Sequence, residues 1–159
     1  MKTLLALTFV LAALIATPAQ AQRTPEAVVN YENVYLQTSS GKKLSDAEFK
    51  DAVIRAGKSH NWQFTEAASG RLVGSLTVNE KHMISVNVDR TPENFSVTYR
   101  DSANMNYGSI PKSVENPWLE SAKANIRKTS DPNAKLIHPA YNQWVRTLVN
   151  AIKQEIFRL

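Results

Sequence analysis

The chain has 159 residues, no cysteine, and a formal charge of +5 from 19 Lys and Arg against 14 Asp and Glu. That length fits one domain with a real core, and the lack of cysteine excludes disulfide stapling, thiolate metal sites and a lipid-bearing cysteine. The mildly basic balance hints at anionic envelope surfaces more than at nucleic acid, and decides little beyond that.

The first residues read as an export signal. Met1-Lys2 is the positive start, Leu4 to Ala16 is apolar apart from Thr8, and Ala19-Gln20-Ala21 is a small-x-small cleavage pattern behind the helix-breaking Thr17-Pro18. A membrane span needs roughly 20 apolar residues, and this run is shorter and broken at Pro18. Cleavage after Ala21 removes 21 of the 159 residues, leaves 138, and lowers the charge to +4 by taking Lys2 away. No other stretch is long enough to cross a bilayer, so the expected mature protein is periplasmic or secreted, with no transmembrane segment.

Residues 22–43 are polar, with one short alternation at Val34 and Leu36, and read as an extended leader with room for a short edge strand. Ser45-Asp46-Ala47-Glu48 is a capping box. Phe49, Ala52, Val53 and Ala56 follow at helical spacing and predict a helix from Asp46 to about Ser59, weakened at its end by Gly57. The period then changes to two. Trp62 and Phe64 alternate with polar residues, as do Leu72, Gly74, Leu76 and Val78, then His82, Ile84, Val86 and Val88, then Phe95, Val97 and Tyr99. Turn-like breaks at Ala68-Ser69-Gly70, Asn79-Glu80 and Arg90-Thr91-Pro92-Glu93-Asn94 separate the runs. Four antiparallel strands in a meander follow, with one wet face carrying Arg71, Ser75, Thr77, Ser85, Asn87, Ser96, Thr98 and Arg100.

Asp101 to Pro139 is irregular, except that Asn116-Pro117-Trp118 opens a short helix ending near Lys128. Tyr141, Trp144, Val145, Leu148, Val149, Ile152, Ile156 and Leu159 then form one stripe at spacings of three and four. Burying it is worth roughly 10–20 kcal/mol gross, before chain entropy is subtracted. The helix must lie across the apolar side of the sheet. The expected fold is a two-layer α+β domain over residues 44–159, a four-stranded antiparallel meander with an N-terminal and a C-terminal helix on one face and an inserted segment at 108–137.

Three segments carry a family likeness: Gly57-Lys58-Ser59-His60-Asn61-Trp62, Phe95-Ser96-Val97-Thr98-Tyr99-Arg100-Asp101-Ser102-Ala103-Asn104-Met105-Asn106-Tyr107, and Ile137-His138-Pro139-Ala140-Tyr141-Asn142-Gln143-Trp144-Val145. From about Leu44 onward the chain resembles a group of small exported proteins of Gram-negative bacteria, many of them lipoproteins, with no assigned function. The combined Tyr-x-Asp-Ser-x-Asn-x-x-Tyr and Ile-His-x-x-Tyr-Asn-x-Trp patterns carry the resemblance. The chain departs from it by lacking the lipid-bearing cysteine, which speaks against membrane tethering, and by its long segment between Tyr107 and Ile137. The group offers no catalytic residues to transfer.

His60, His82 and His138 are far apart in sequence, without the spacing of a zinc site, and neither a Gly-x-Ser-x-Gly elbow nor a phosphate loop is present. No metal and no cofactor is expected. Asp101, Asn104, Asn106 and Tyr107 leave the last strand, while His138, Tyr141 and Asn142 begin the last helix, so packing of helix on strand would bring the two groups together. They read either as a small binding pocket with a titratable His138, or as a hydrogen-bonded clasp at the helix start, the commoner use of such residues. Trp62 and Trp144 read as core. The polar sheet face is either solvated or a docking surface for an envelope protein or a glycan, and Lys112, Lys123, Arg127 and Lys128 form a basic group on the insert. The functional expectation is a non-enzymatic binding module. The alternative is an envelope-directed hydrolase using His138 and Asp101, which requires those two side chains within hydrogen-bond reach beside a cleft.

Overall fold

The structure, a computed structural model, describes residues 24–108 and 134–159. The export signal with its cleavage site, the short helix expected from Asn116, and the basic group Lys112, Lys123, Arg127 and Lys128 lie outside those residues.

Helix α1 spans Asp46–Lys58 and starts on the expected capping box: the Glu48 N–H donates to Ser45 Oγ, and the Ser45 N–H donates to the Glu48 carboxylate at 2.9 Å. Its buried side is Phe49, Ala52, Val53, Ala56 and Gly57. Gly57 has a packing reason. A Cβ there would run into the Phe64 ring, and one on Gly74 would meet the same ring from the other side. Two missing side chains, one on the helix and one on the sheet, thus let a phenyl ring wedge between them.

Strands β3 (Gln63–Glu66), β4 (Leu72–Val78), β5 (His82–Arg90) and β6 (Asn94–Ala103) pair antiparallel in chain order. The β4–β5 turn carries Asn79 and Glu80, both at φ 52°, the left-handed pair that a tight hairpin turn needs. The sheet is larger than a four-stranded meander. Strand β2 (Tyr31–Tyr35), drawn from the polar leader, pairs with β6 and gives the order β2-β6-β5-β4-β3. A separate two-stranded ribbon joins β1 (Glu26–Ala27) to β7 (Leu136–Ile137). The edge strand that the Val34–Leu36 alternation left room for is thus present, but periodicity could not show its start, because its register shifts between Tyr31 and Val34 with Asn33 at φ 55°, which breaks the alternation.

The buried face of the sheet is a set of cross-strand rows: Leu72, Val88 and Val97; Gly74, Val86 and Tyr99; Leu76, Ile84 and Ser102. Helix α2 (Ala140–Phe157) buries Tyr141, Val145, Leu148, Val149, Ile152 and Ile156. Trp144 is half-buried and packs on the core from its margin. Leu159, expected in the same stripe, is 38% exposed because α2 ends at Phe157. The Phe49 and Phe95 rings lie 6.0 Å apart, and Arg55 of α1 is paired with Glu155 of α2 at 3.1 Å. One continuous core therefore joins the two helices to the sheet. The result is an α+β fold of two helices, a five-stranded antiparallel sheet and a two-stranded ribbon. Among the described residues no helix is long and apolar enough to cross a membrane.

Candidate functional site

The last strand and the last helix meet at a junction built from three short devices. The first is a β-bulge. Ser85 pairs with Asp101 and Val86 with Tyr99, so Arg100 is an extra residue on β6. One inserted residue inverts the alternation that follows it. In a regular strand, with Arg100 paired in step, Asp101 would share the inward phase of Phe95, Val97 and Tyr99. With the bulge, Ser102 turns inward, where its hydroxyl lies 3.0 Å from the Tyr99 hydroxyl, and Asp101 stays exposed, accepting the Ser102 N–H at 2.8 Å.

The second device is a pair of left-handed asparagines around a buried methionine. Asn104 and Asn106 have φ of 58° and 51°, a conformation that asparagine tolerates better than most residues. Between them Met105 is buried in the core. Asn104 is fastened to the β4–β5 turn: its Nδ2 donates to the Lys81 carbonyl at 2.6 Å, and its own carbonyl faces His82 Nδ1 at 2.8 Å. A carbonyl only accepts, so His82 Nδ1 carries the proton. Asn106 is exposed, and its side chain makes no hydrogen bond among the described residues.

The third device is the start of α2. The residue before the helix, Pro139, offers no side-chain cap. His138 takes that role: its Nδ1 accepts the Ala140 N–H at 3.2 Å and its carbonyl accepts the Tyr141 N–H at 3.0 Å. The His138 N–H donates to the Met105 carbonyl at 2.8 Å, tying helix start to strand exit. A two-way bridge between Gly108 and Leu136, at 3.0 and 2.7 Å, brings the ends of the 108–137 segment together.

These devices assemble an aromatic ledge. The Tyr107 ring lies parallel to Tyr99, with centroids 4.3 Å apart and planes 12° apart, and the Tyr141 ring meets Tyr99 edge-on at 5.6 Å. Tyr107 remains 44% exposed while Tyr141 is fully buried. Burial pushes the Tyr141 phenol well above its ordinary value, with the Tyr99, Tyr107 and Tyr31 phenols adding to it. Burial also raises Tyr99, partly offset by its bond with Ser102. Tyr99 and Tyr141 therefore stay uncharged at neutral pH. The Tyr141 hydroxyl has no hydrogen-bond partner among the described residues.

Of the seven residues singled out from sequence, Asn104, Met105-flanking Asn106, Tyr107, His138 and Tyr141 gather around this junction. Asp101 does not join them, because the bulge leaves it on the other phase of β6. Asn142 is buried but serves a different neighbour: its Oδ1 accepts the Val29 N–H at 3.0 Å, and its Nδ2 donates to the Ala27 carbonyl at 2.8 Å and to Glu26 Oε2 at 3.1 Å. Two residues at the junction escape sequence reasoning. Tyr99 reads as one more inward strand residue. His82 stacks on His138 at 6.2 Å and 26°, although 56 positions separate the two, since antiparallel pairing places the start of β5 beside the end of β6. No group of three His, Asp or Glu side chains suited to a metal ion occurs among the described residues. Comparison with family models, curated proteins and solved structures finds no match to this chain.

Proposed function

We propose that this chain is a non-enzymatic binding module working outside the cytoplasm, in the periplasm or after secretion, and that the β6–α2 junction holds a glycan of the cell envelope. The observation that carries this reading is the Tyr99–Tyr107 stack. One ring is held flat by another and still presents 44% of its residue surface to solvent. A pre-ordered aromatic face costs little rotamer entropy on binding, and the apolar C–H face of a sugar ring fits it. Asn104 and Asn106 are exposed on the neighbouring backbone and supply amide groups suited to hydroxyls. The location rests on the sequence, namely Lys2, the apolar run Leu4 to Ala16 and Ala19-Gln20-Ala21, and on the likeness to small exported proteins. Placement of both helices on one face, leaving the Ser- and Thr-bearing face of the sheet wet, belongs to the same reading.

The hydrolase alternative has weaker support. It asks for a hydrogen bond between His138 and Asp101. The His138 Nδ1 instead accepts the Ala140 N–H, and Asp101 accepts the Ser102 N–H.

Co-sedimentation with purified peptidoglycan sacculi tests the proposal. The wild-type protein is expected to pellet with sacculi. Tyr107→Ala is expected to weaken retention by about fivefold or more, equivalent to about 1 kcal/mol, while melting near the wild-type temperature because the ring is exposed. A wild-type protein that stays in the supernatant, or a Tyr107→Ala variant that binds as well, sinks the reading.

A further inference from the structure

A second surface lies toward the other end of α2, an element about 27 Å long at 1.5 Å per residue. Strand β2 is an edge of the sheet. The Leu36 N–H donates to the Glu93 carbonyl at 2.8 Å, so Leu36 and Glu93 form a hydrogen-bonded pair, and Val34 with Phe95 forms the next one. Tyr35 then falls in a non-hydrogen-bonded pair with Asn94, and its own N–H and carbonyl point away from β6. Gln37 follows in the same phase. No described strand pairs with that side of β2.

Beside this open edge runs a groove of about 360 Å³. Val34, Phe95, Ile156 and Phe157 supply its apolar lining, and Lys153 stands on it from α2. Tyr35 and Phe157 are 65% and 52% exposed, the two most exposed large apolar side chains among the described residues. A free strand edge on one side and a helix on the other is the arrangement in which an extended peptide adds a strand, with main-chain bonds giving affinity and the groove taking alternate side chains. A helical partner, about 10–12 Å across with its side chains, would leave the strand edge unpaired. Charge narrows the occupant further. Glu155 is already matched by Arg55 and Arg158, whereas Lys153 makes no ion pair among the described residues. A lone cation beside an apolar groove is complementary to an acidic side chain on the incoming strand.

We propose that the β2–α2 groove receives an extended segment of a partner protein as an added strand, with apolar side chains at alternate positions in the groove and an acidic side chain at Lys153. This site is independent of the glycan reading, which concerns the opposite end of α2.

The experiment pans a phage-displayed library of random twelve-residue peptides on the purified protein, and measures the enriched sequences as synthetic peptides by fluorescence anisotropy. Enriched peptides are expected to alternate apolar and polar residues and to carry an Asp or Glu. Lys153→Glu is expected to weaken them about fivefold or more. N-methylating the peptide at every second amide should weaken binding about tenfold in one phase and little in the other, because only one set of N–H groups faces β2. This readout leaves the protein untouched, so it stands even where Tyr35→Pro, which removes one outward N–H of β2, unfolds the edge. No enrichment, binding indifferent to Lys153→Glu, or equal loss from both methylation phases overturns the proposal. So does a concentration-dependent dimer that the peptides do not compete with, since a second copy would then fill the groove.

Discussion

Truncation of Asn142 should release the leader from the domain. Its side chain is 4% exposed and makes three bonds, all to residues more than 110 positions away in sequence. Asn142→Ala strands the Val29 N–H and the Ala27 carbonyl. Val29 is 40% exposed, so water can reach its amide at modest cost, but Ala27 is buried. A buried group left without its partner costs about 1–3 kcal/mol. With a smaller loss for the wetted amide and the Glu26 contact, the expected destabilisation is about 2–3 kcal/mol. For a domain of this size that lowers the midpoint by on the order of 10 °C. The loss should be local before it is global. Ribbon β1–β7, including the bond from the Val28 N–H to the Lys135 carbonyl at 2.9 Å, depends on this anchor. Amide exchange at Val28 and Val29 should therefore rise sharply in the variant, while Val86 and Val97 in the central strands stay protected. Asn142→Asp sharpens the argument. It keeps the acceptor for Val29 but loses the donor to Ala27 and sets a carboxylate against Glu26. Its folded-state pKa would be raised, so the variant should be worst at neutral pH and recover as pH falls and the new carboxyl takes a proton. An Asn142→Ala midpoint within about 2 °C of wild type, or unchanged exchange at Val29, would falsify the anchoring role.

Three further outcomes follow from single side chains. Tyr141→Phe should leave stability unchanged or raise it by up to about 2 kcal/mol in urea melts, because the deleted hydroxyl is buried without a partner among the described residues; a loss of that size would mean the hydroxyl is bonded. Leu148→Asp should abolish the cooperative melt, since it places a charge at a position with no exposure in the densest part of α2, and a near-wild-type transition would show that α2 does not pack on the sheet. Glu48 is held down from an ordinary 4.5 to about 2, first by the Lys42 side chain and then by the Ser45 backbone and side chain. Its contribution is thus present above about pH 4.5 and lost as pH falls toward 2. Glu48→Gln should accordingly melt below wild type at neutral pH, with the gap closing in acid. A gap that persists at pH 2 would place the effect elsewhere.

The parts of this fold that were legible in the sequence are those whose signal is local. The Ser45–Glu48 box, the period-two runs from Leu72 to Tyr99, and the α2 stripe from Tyr141 to Ile156 each arise from interactions a few residues apart, and each stands in the structure with nearly the expected bounds. Strand β2 was legible only as room for a short edge strand around Val34 and Leu36; its bounds and its pairing with β6 were not, because a five-residue strand with a register shift has too few alternations to fix them. Strands β1 and β7 have two residues each and no period at all. They exist because Asn142 and the Gly108–Leu136 bridge bring distant chain ends together, and no window of sequence contains that information.

The junction shows the same limit in a sharper form. Sequence placed Asp101 and His138 at the ends of two elements that pack together, and from there their convergence follows only if β6 keeps its alternation. A single extra residue, Arg100, reverses the alternation at the last turn of the strand. That one insertion has two consequences at once. It keeps a carboxylate out of the apolar face, where an unpaired charge would be costly, and it turns Ser102 inward to meet the Tyr99 hydroxyl at 3.0 Å. Tyr99 so held is the fixed ring on which Tyr107 stacks at 4.3 Å. The residue that takes Asp101 away from His138, and with it the support for acid–base chemistry, is therefore the same residue that orders the aromatic ledge. A regular β6 with Arg100 paired in step would turn Asp101 toward the core and Ser102 away from Tyr99 together, so the packing of this corner and the order of the aromatic ledge rest on a common backbone irregularity.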